Sequence, residues 1–235
     1  LNACRNSDKN YGSTGLRIVQ DEQSGSISVF HTDGSSPILV QKADSGFRPY
    51  LHPIVAPDGK GFLTEYSPGH HKHQTGLYWG FTRVNGRDYF HHPDKDYWRR
   101  VSAKIIPVDS GAQAVKWQTV YDMLDSAGNT VLTETQNWTM KLDSGRYLLE
   151  LQWNGEAKTD ITIGKYDYGG LFLRMPWKEG IKGEMVNAAR QHNEKAEGQR
   201  SMWVDVGMQV EGHDDLAHVA IFDHPDNNGY PQMWR

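Results

Sequence analysis

The sequence predicts an all-β protein, a large antiparallel β-sandwich with little helix. Apolar and polar residues alternate with a period of two over residues 114–121, 131–140 and 146–153, which is the pattern of half-buried strands. Turn-forming sequences around Gly128 and Gly145 separate these three stretches and are typical of hairpins. The three stretches are therefore predicted to form an antiparallel meander.

Shorter strands are predicted on both sides of this meander. They cover residues 16–20, 26–31, 37–41, 76–84, 101–108, 170–174, 202–210 and 217–222. Asp-Gly and Asn-Gly pairs at Gly34, Gly59 and Gly86 mark turns between or beside them. About eleven strands, with a single weak helical pattern within residues 185–196, favour a sandwich over other fold classes.

The composition limits the number of domains and the classes of partner. The chain has 235 residues, a length that all-β sandwiches reach as one domain. Its 25 Lys and Arg residues against 29 Asp and Glu residues give a net charge of -4, so no broad cationic face is available for a nucleic acid. No run of about 18 apolar residues is present, which excludes a membrane-spanning helix. We therefore expect one β-sandwich domain over residues 16–235.

The N-terminal residues predict an exported lipoprotein. Cys4, the only cysteine, follows the small residue Ala3, as at the end of a bacterial lipoprotein signal. Residues 5–10 form a polar tether of the kind that separates such an anchor from a folded domain. The alternative is a cysteine without function in a frayed terminus. We expect residues 1–15 to be signal remnant and tether, with the protein lipid-anchored in the periplasm or at the outer surface of a bacterial cell.

Clustered histidines predict a shared site. Four of the eleven histidines fall within residues 52–73, and in an extended segment His71 and His73 project from the same face. Two adjacent imidazoles suit an acid/base pair near neutral pH or part of a metal site. His52, in the block at residues 48–53, is a further candidate. The alternative is a set of surface histidines that share no task.

Aromatic residues interleaved with charged ones predict a sugar site, because rings stack on sugar C–H faces while polar groups bind hydroxyls. Two stretches, residues 89–100 and 166–177, have this composition. The predicted substrate-binding residues are His92, Trp98, Tyr168 and Arg174 from these stretches, together with Trp79 and His224. Arg174 is suited to a carboxylate or a sulfate. The alternatives are an aromatic loop that seals the sandwich and turn residues around His224.

Five sequence blocks resemble the PmoA-like family, a bacterial family of uncertain function. In this sequence the blocks cover residues 48–53, 71–77, 169–174, 203–205 and 223–227. Two positions depart from the family pattern, because Lys72 replaces a proline and Gln74 replaces a histidine. The family pattern continues beyond a late Trp-x-x-Arg segment, whereas this sequence stops at Arg235, so we expect the domain to lack its last strands.

The resemblance implies a fold and a site. The family's architecture is similar to the galactose-mutarotase-like supersandwich, whose concave face binds sugars and serves epimerases, lyases and some hydrolases. It implies that Arg48, His52, His73 and His224 converge, with the histidines as general acid or base. Arginine would bind a hydroxyl or an acidic substituent.

The leading hypothesis is a carbohydrate-active enzyme that acts on oligosaccharides or polysaccharides by elimination or epimerisation. His73 is predicted to be the base or acid, with His71 and His52 as partners. Arg48 and Arg174 are predicted to stabilise a developing oxyanion. No cofactor is required by this hypothesis, and membrane contact is expected only through the lipid on the N-terminal cysteine.

Two alternatives remain open. One is a non-catalytic carbohydrate-binding lipoprotein, in which aromatic rings stack on sugars and the histidines only bind hydroxyls. The other is a metal-dependent glycoside hydrolase, in which a divalent metal is bound by His71, His73 and a carboxylate such as Glu65.

Overall fold

The computed structural model describes residues 15–69, 71–109 and 113–235, and in these ranges it consists mainly of strands and their connections. The predicted anchor at Cys4 lies outside the described residues. The strands are β1 (Leu16–Gln20), β2 (Ile27–His31), β3 (Leu39–Lys42), β4 (Tyr50–Ile54), β5 (Leu77–Gly80), β6 (Trp98–Ile106), β7 (Ala114–Leu124), β8 (Thr130–Asp143), β9 (Arg146–Ala157), β10 (Gly170–Leu173), β11 (Gly183–Asn187), β12 (Trp203–Gln209) and β13 (Leu216–Phe222).

The all-β class predicted from the sequence is confirmed. Within the described ranges, the only helical element is a single 3₁₀ turn at Asn193–Lys195. None of the described helical structure is long and apolar enough to cross a membrane.

The described strands form three antiparallel sheets. The first sheet has the order β1-β2-β3-β4-β5-β10, the second β6-β7-β8-β9 and the third β11-β12-β13. The second sheet contains the predicted meander, in which β7, β8 and β9 pair over most of their lengths. Its alternating sequence pattern arises because each strand presents one face to the core and the other to solvent.

The first and second sheets pack face to face around the main hydrophobic core. Buried residues from both sheets form this core, including Val29, Leu39, Leu51, Trp117, Trp138 and Met140. Trp117 Nε1 donates a hydrogen bond to Gln41 Oε1 (3.0 Å), which joins the two sheets inside the core. Ala217 and Val219 of the third sheet pack against the same cluster. The arrangement is the sandwich that the sequence predicts.

Strand β4 is a central strand, although the sequence analysis predicted no strand over these residues. Pro53 has no N–H to donate, and proline is rare within central strands. The register between β3 and β4 shifts here, since Leu39 pairs with Ile54 and Gln41 with Leu51. This bulge removes the ladder bond that proline could not make, and it places His52 at the irregular point of the strand.

The weak helical pattern within residues 185–196 does not form an α-helix. Its first residues belong to β11, which pairs with β12. Asn187 then ends the strand, because its Oδ1 accepts hydrogen bonds from Ala189 N and Gln191 N (3.0 Å each). Such local side-chain bonds offer the backbone an alternative to the helix.

Strand pairing also decides which residues reach the outer face of the first sheet. Tyr50 pairs with Tyr78, and Tyr78 pairs with Phe172, so these three rings lie on one face. Leu51 belongs to the main core, and successive residues of a strand point to opposite faces. Tyr50 and His52 therefore point outwards, away from the second sheet. The candidate site lies on this outer face.

Candidate functional site

Arg48 lies beneath the outer face and is fully buried, with 0% of its surface exposed. Its Nη1 donates to Phe90 O (3.0 Å), and its Nη2 donates to His73 O (2.7 Å). The guanidinium carbon is 3.8 Å from the centre of the Tyr78 ring, a cation–π contact. Burial lowers the pKa of Arg48 to about 10, so the group is charged at neutral pH. Arg48 therefore holds the backbone of the site and offers no exposed N–H to a ligand.

Two imidazoles meet above Phe90. The ring centroids of His73 and His91 are 4.5 Å apart, and the His73 ring is 4.7 Å from that of Phe90. Tyr168 closes one side, with its ring 5.2 Å from Phe90 and 6.5 Å from His91. Segments that are far apart in the sequence thus meet at one place.

Asp88 fixes the orientation of His91. Asp88 Oδ1 accepts hydrogen bonds from Phe90 N and His91 N (3.0 Å each), and Oδ2 lies 2.7 Å from His91 Nδ1. Burial alone would raise the pKa of Asp88, but the hydrogen bonds from His91 and Phe90 outweigh it and lower the pKa below its usual value. An ionised carboxylate can only accept, so His91 Nδ1 is the donor, and Nε2 has no hydrogen-bond partner among the residues that the structure describes. We call Asp88, His73 and His91 the histidine cluster.

His73 is neutral at neutral pH. Burial, followed by the nearby groups His91 and Arg48, lowers its pKa to about 4. A neutral imidazole can both donate and accept a hydrogen bond. His73 is therefore equipped to hold a hydroxyl group, whereas its low pKa makes it a weak base.

His71 lies beside the histidine cluster, whereas His52 contacts residues outside it. The His71 ring is 6.1 Å from that of His73, in an edge-on arrangement. His52 Nδ1 lies 3.0 Å from Thr64 Oγ1, and its ring is 5.9 Å from the Tyr66 ring. Burial lowers the pKa of His52, with a smaller effect in the same direction from a nearby lysine. His52 is thus linked to the cluster through aromatic rings and has no direct ring contact with His73 in the described structure.

Arg174 is engaged by neighbouring side chains. Its Nε donates to Glu65 Oε2 (3.1 Å) and its Nη1 to Gln74 Oε1 (3.2 Å). Its backbone N also donates to Gly76 O (2.8 Å). Arg174 directly follows β10 and therefore joins this strand to the segments that precede β5. Two of its guanidinium nitrogens are already hydrogen-bonded.

The aromatic residues predicted to bind sugars occupy different environments. Trp98 is fully buried in a second core cluster and offers no ring face to a ligand. Trp79 points towards the second sheet and stacks on Trp153 (4.8 Å between centroids). His92 is exposed and stacks on Tyr97 (4.6 Å).

His224 is not brought into the histidine cluster by any described contact. It follows the last strand of the third sheet, and 70% of its side chain is exposed. Its Nδ1 accepts a hydrogen bond from Asp226 N (3.2 Å). This is the turn role that was the alternative to a binding role.

The described residues do not provide the third ligand that the metal hypothesis needs. The Glu65 carboxylate is bonded to Arg174 and not to the His71 and His73 pair. Over residues 15–69, 71–109 and 113–235, no three His, Cys, Asp or Glu side chains are grouped so that they could hold a metal ion.

An open groove lies next to the histidine cluster. It has a volume of about 560 Å³ and is lined by Asp44, Ser45, Gly46, Phe47, Tyr50, Tyr66, Asp94 and Lys95. Tyr66 is 47% exposed and stacks on Tyr50 with 5.6 Å between ring centroids. The connection from β5 to β6 borders both features, because it carries His91 at one point and Asp94 three residues later. We call this feature the tyrosine groove.

Sequence reasoning missed Asp88 and His91, although a local signal was present. The spacing Asp-x-x-His at residues 88–91 places the carboxylate where it can bond backbone and side-chain groups two and three residues later. The sequence analysis selected the neighbouring His92 instead. Tyr66 was also missed, because an isolated tyrosine in a loop carries no periodicity that would show its exposure.

The fold and the site define an all-β sandwich with a pair of contacting imidazoles on the outer face of one sheet. A family model described as a family of unknown function (DUF6807) matches residues 29–235. The chain belongs to this family. Comparison with curated proteins found no match, and comparison with solved structures found none either.

Proposed function

We propose that this protein is a carbohydrate-active enzyme that transfers protons on a bound saccharide through the histidine cluster. The observation that carries the proposal is the contact between a neutral imidazole, His73, and a second imidazole, His91, that is held by a carboxylate. A base oriented by a carboxylate, beside a neutral hydrogen-bond partner, is an arrangement that general acid/base catalysis uses.

The two histidines have different roles in this proposal. His91 accepts a proton from the substrate, and Asp88 stabilises the positive charge that His91 then carries. His73 stays neutral and hydrogen-bonds the substrate oxygen that gains charge. This assignment differs from the sequence-based hypothesis, in which His73 was the base, because the pKa of His73 is lowered to about 4.

The position of the imidazoles favours one kind of reaction. With ring centroids 4.5 Å apart, both rings approach the substrate from the same side. In an elimination, the proton goes to His91, the C–H electron pair forms a double bond, and the neighbouring C–O bond breaks. The protonated His91 then returns the proton to the leaving oxygen. Epimerisation by proton exchange needs groups on opposite faces of the sugar ring, so this arrangement of the two imidazoles suits it less well.

Surrounding aromatic residues support a saccharide as the substrate. Tyr168 lies beside the histidine cluster, and the tyrosine groove presents a half-exposed ring. Amphipathic rings of this kind pack on the C–H faces of sugars while polar groups bind the hydroxyls.

The experiment is to incubate the wild type, His91→Ala and His73→Ala with a panel of marine and plant oligosaccharides and to follow products by mass spectrometry. We expect His91→Ala to lower the rate by about 10²–10⁴-fold, the usual contribution of a general acid/base. His218→Ala, which removes an exposed histidine on the third sheet, is the matched control and should retain the wild-type rate. Equal product formation by all four proteins would end the proposal.

A second candidate function, saccharide binding without turnover, is favoured by the tyrosine groove alone. The groove contains no histidine among its lining residues, so it can bind a sugar without acid/base chemistry. Binding by titration calorimetry, with no product from the wild type over the same panel, would support this second function over the first.

A further inference from the structure

The tyrosine groove has a rigid floor. Its two edges are joined by backbone hydrogen bonds from Arg48 N to Pro93 O (2.8 Å) and from Arg100 N to Ser45 O (2.9 Å). Tyr121 Oη donates to Asp44 O (2.8 Å) from below. Gly46 allows a close approach, because a Cβ at this position would lie 2.8 Å from the Lys95 Cβ. These contacts therefore fix the shape of the groove within the fold.

The groove offers aromatic surface in an arrangement suited to a flat, weakly apolar ligand. Tyr66 stacks on Tyr50 at an interplanar angle of 27°, and Phe47 packs edge-on to Tyr50 at 67°. Tyr50 itself is 7% exposed and Tyr66 47% exposed, so Tyr66 is the ring that a ligand would meet first. Tyrosine rings bury apolar area while their hydroxyls remain able to bond.

The charges at the groove select against an anionic ligand. Its lining carries two carboxylates, Asp44 and Asp94, and one cation, Lys95. Within the described residues, the Asp44 carboxylate has no hydrogen-bond or ion-pair partner, and Asp94 Oδ1 accepts only from Asp96 N (3.2 Å). An acidic sugar bound here would face uncompensated negative charge, which costs binding energy.

Arg48 and Arg174 do not compensate for these carboxylates. Arg48 is fully buried, and its Nη1 and Nη2 donate to backbone oxygens. Arg174 is bonded to Glu65 and Gln74. Neither presents a free bidentate edge to a uronate carboxylate or a sulfate, which is how arginine recognises such groups.

The groove and the histidine cluster lie close enough for one oligosaccharide to occupy both. His91 and Asp94 are three residues apart, so their Cα atoms are separated by at most about 11 Å. This length is within the reach of a short chain of sugar units. Both features open onto the connection between β5 and β6.

We infer that the tyrosine groove is a subsite for an uncharged sugar unit, so that the substrate of this protein is a neutral oligosaccharide. The inference rests on the proposed function and specifies its substrate class. It also narrows the chemistry, because a neutral sugar has no carboxylate to acidify a neighbouring C–H. The C–H proton that His91 accepts in the elimination then comes from a carbon beside a carbonyl group, such as the open-chain aldehyde at the reducing end.

Titration calorimetry at low salt tests the inference with two sets of hexasaccharides. The neutral set is cellohexaose, mannohexaose and laminarihexaose, and the acidic set is hexagalacturonate, hexamannuronate and a sulfated carrageenan hexasaccharide. We expect at least one neutral ligand to bind about tenfold or more tightly than any acidic one. Tyr66→Ala should weaken this binding about tenfold, whereas Tyr66→Phe, which keeps the ring, should retain it.

A charge variant completes the test. Asp44→Asn combined with Asp94→Asn should raise the affinity for acidic hexasaccharides several-fold, and the gain should shrink at high salt because the repulsion is screened. Asp226→Asn, at an exposed position in the turn after β13, is the matched control and should change neither affinity. Circular dichroism confirms that each variant is folded.

The outcomes separate the inference from the proposed function. Tighter binding of acidic than neutral ligands overturns the inference and leaves a carbohydrate-active protein. Neutral binding that is identical in wild type and Tyr66→Ala overturns the assignment of the groove. Failure of the wild type to bind any hexasaccharide of either set counts against the proposed function and the inference together.

Discussion

Two histidine–carboxylate pairs, one on the first sheet and one on the third, have similar geometry but different surroundings. His91 Nδ1 lies 2.7 Å from Asp88 Oδ2, and His218 Nδ1 lies 3.0 Å from Asp205 Oδ2. The His91 pair is only about one third exposed on each side chain, whereas 46% of the His218 side chain is exposed. The distance alone therefore does not distinguish a candidate site from a surface pair.

The difference lies in what holds each pair. Asp88 Oδ1 is saturated by two backbone N–H groups, and His91 contacts a second imidazole. Asp205 Oδ1 has no hydrogen-bond partner among the described residues, and the His218 ring lies over Gly207. A pair becomes a site when its orientation is fixed by further contacts and when a second functional group is within reach.

The largest expected effect is on the free energy of unfolding and concerns one arginine in each region, Arg48 and Arg200. Arg48→Met should lower the free energy of unfolding by about 2–4 kcal/mol, because it leaves the buried carbonyls of His73 and Phe90 without donors. Arg200, in the segment before β12 of the third sheet, donates to Gly229 O and Pro231 O near the surface. Arg200→Met should cost less than about 1 kcal/mol. Urea unfolding monitored by tryptophan fluorescence measures both, and equal losses would remove the distinction.

The next effect concerns the carboxylates of the two pairs. Asp88→Asn should lower the rate of product formation by about a hundredfold, because His91 loses both its orientation and the charge that stabilises its protonated form. Asp205→Asn should leave the rate unchanged. Rates are compared on the oligosaccharide that the wild type converts fastest. A large loss with Asp205→Asn would shift the candidate site to the third sheet.

Replacing one glycine by alanine in the first sheet and one in the third compares how tightly the two regions are packed. A Cβ at Gly80 would lie 3.3 Å from Phe90 Cδ2 and 3.4 Å from Arg48 Nη1, both on fully buried residues. Gly80→Ala should therefore cost about 1–2 kcal/mol by overpacking. The three atoms nearest to a Cβ at Gly207 belong to the ring of exposed His218, which can turn away, so Gly207→Ala should cost about 0.5 kcal/mol or less. Thermal unfolding of both variants makes the comparison.

The smallest effect is the pH dependence that His73 contributes. Its pKa is about 4 in the folded protein against 6.5 for the ordinary value, so the unfolded chain binds the proton more readily. The free energy of unfolding should therefore fall as the pH is lowered from about 6.5 to about 4. The effect is small because the side chain remains partly open to solvent. His73→Asn should flatten this part of the curve, and an unchanged slope would contradict the assigned burial.

Much of the fold was predictable because the second sheet has one face to the core and one to solvent. Period-two alternation then identifies strands such as β7 and β8 directly. β4 escaped prediction because Pro53 argues against a central strand, and only the bulge opposite it resolves the conflict. β11 escaped because its last residues join a turn held by side-chain bonds.

The site was predictable in part. The spacing of His71 and His73 indicated a histidine site, and the blocks that contain His73 and Tyr168 do meet on one face. Trp79 and Trp98 show the limit of predicting binding residues from sequence, because aromatic residues occur both in cores and on binding surfaces. The sequence does not show that the first sheet is covered on both faces, so it cannot say which rings are buried.

Arg48 has a consequence for how the protein would receive a ligand. Its guanidinium bonds to carbonyls on both flanks of the imidazole pair, one before β5 and one before β6. His73 and His91 lie in connecting segments whose backbone Arg48 holds against the sandwich. These segments therefore do not have to close over a ligand. Recognition should consequently follow a lock-and-key pattern, with little backbone rearrangement between the free and occupied protein.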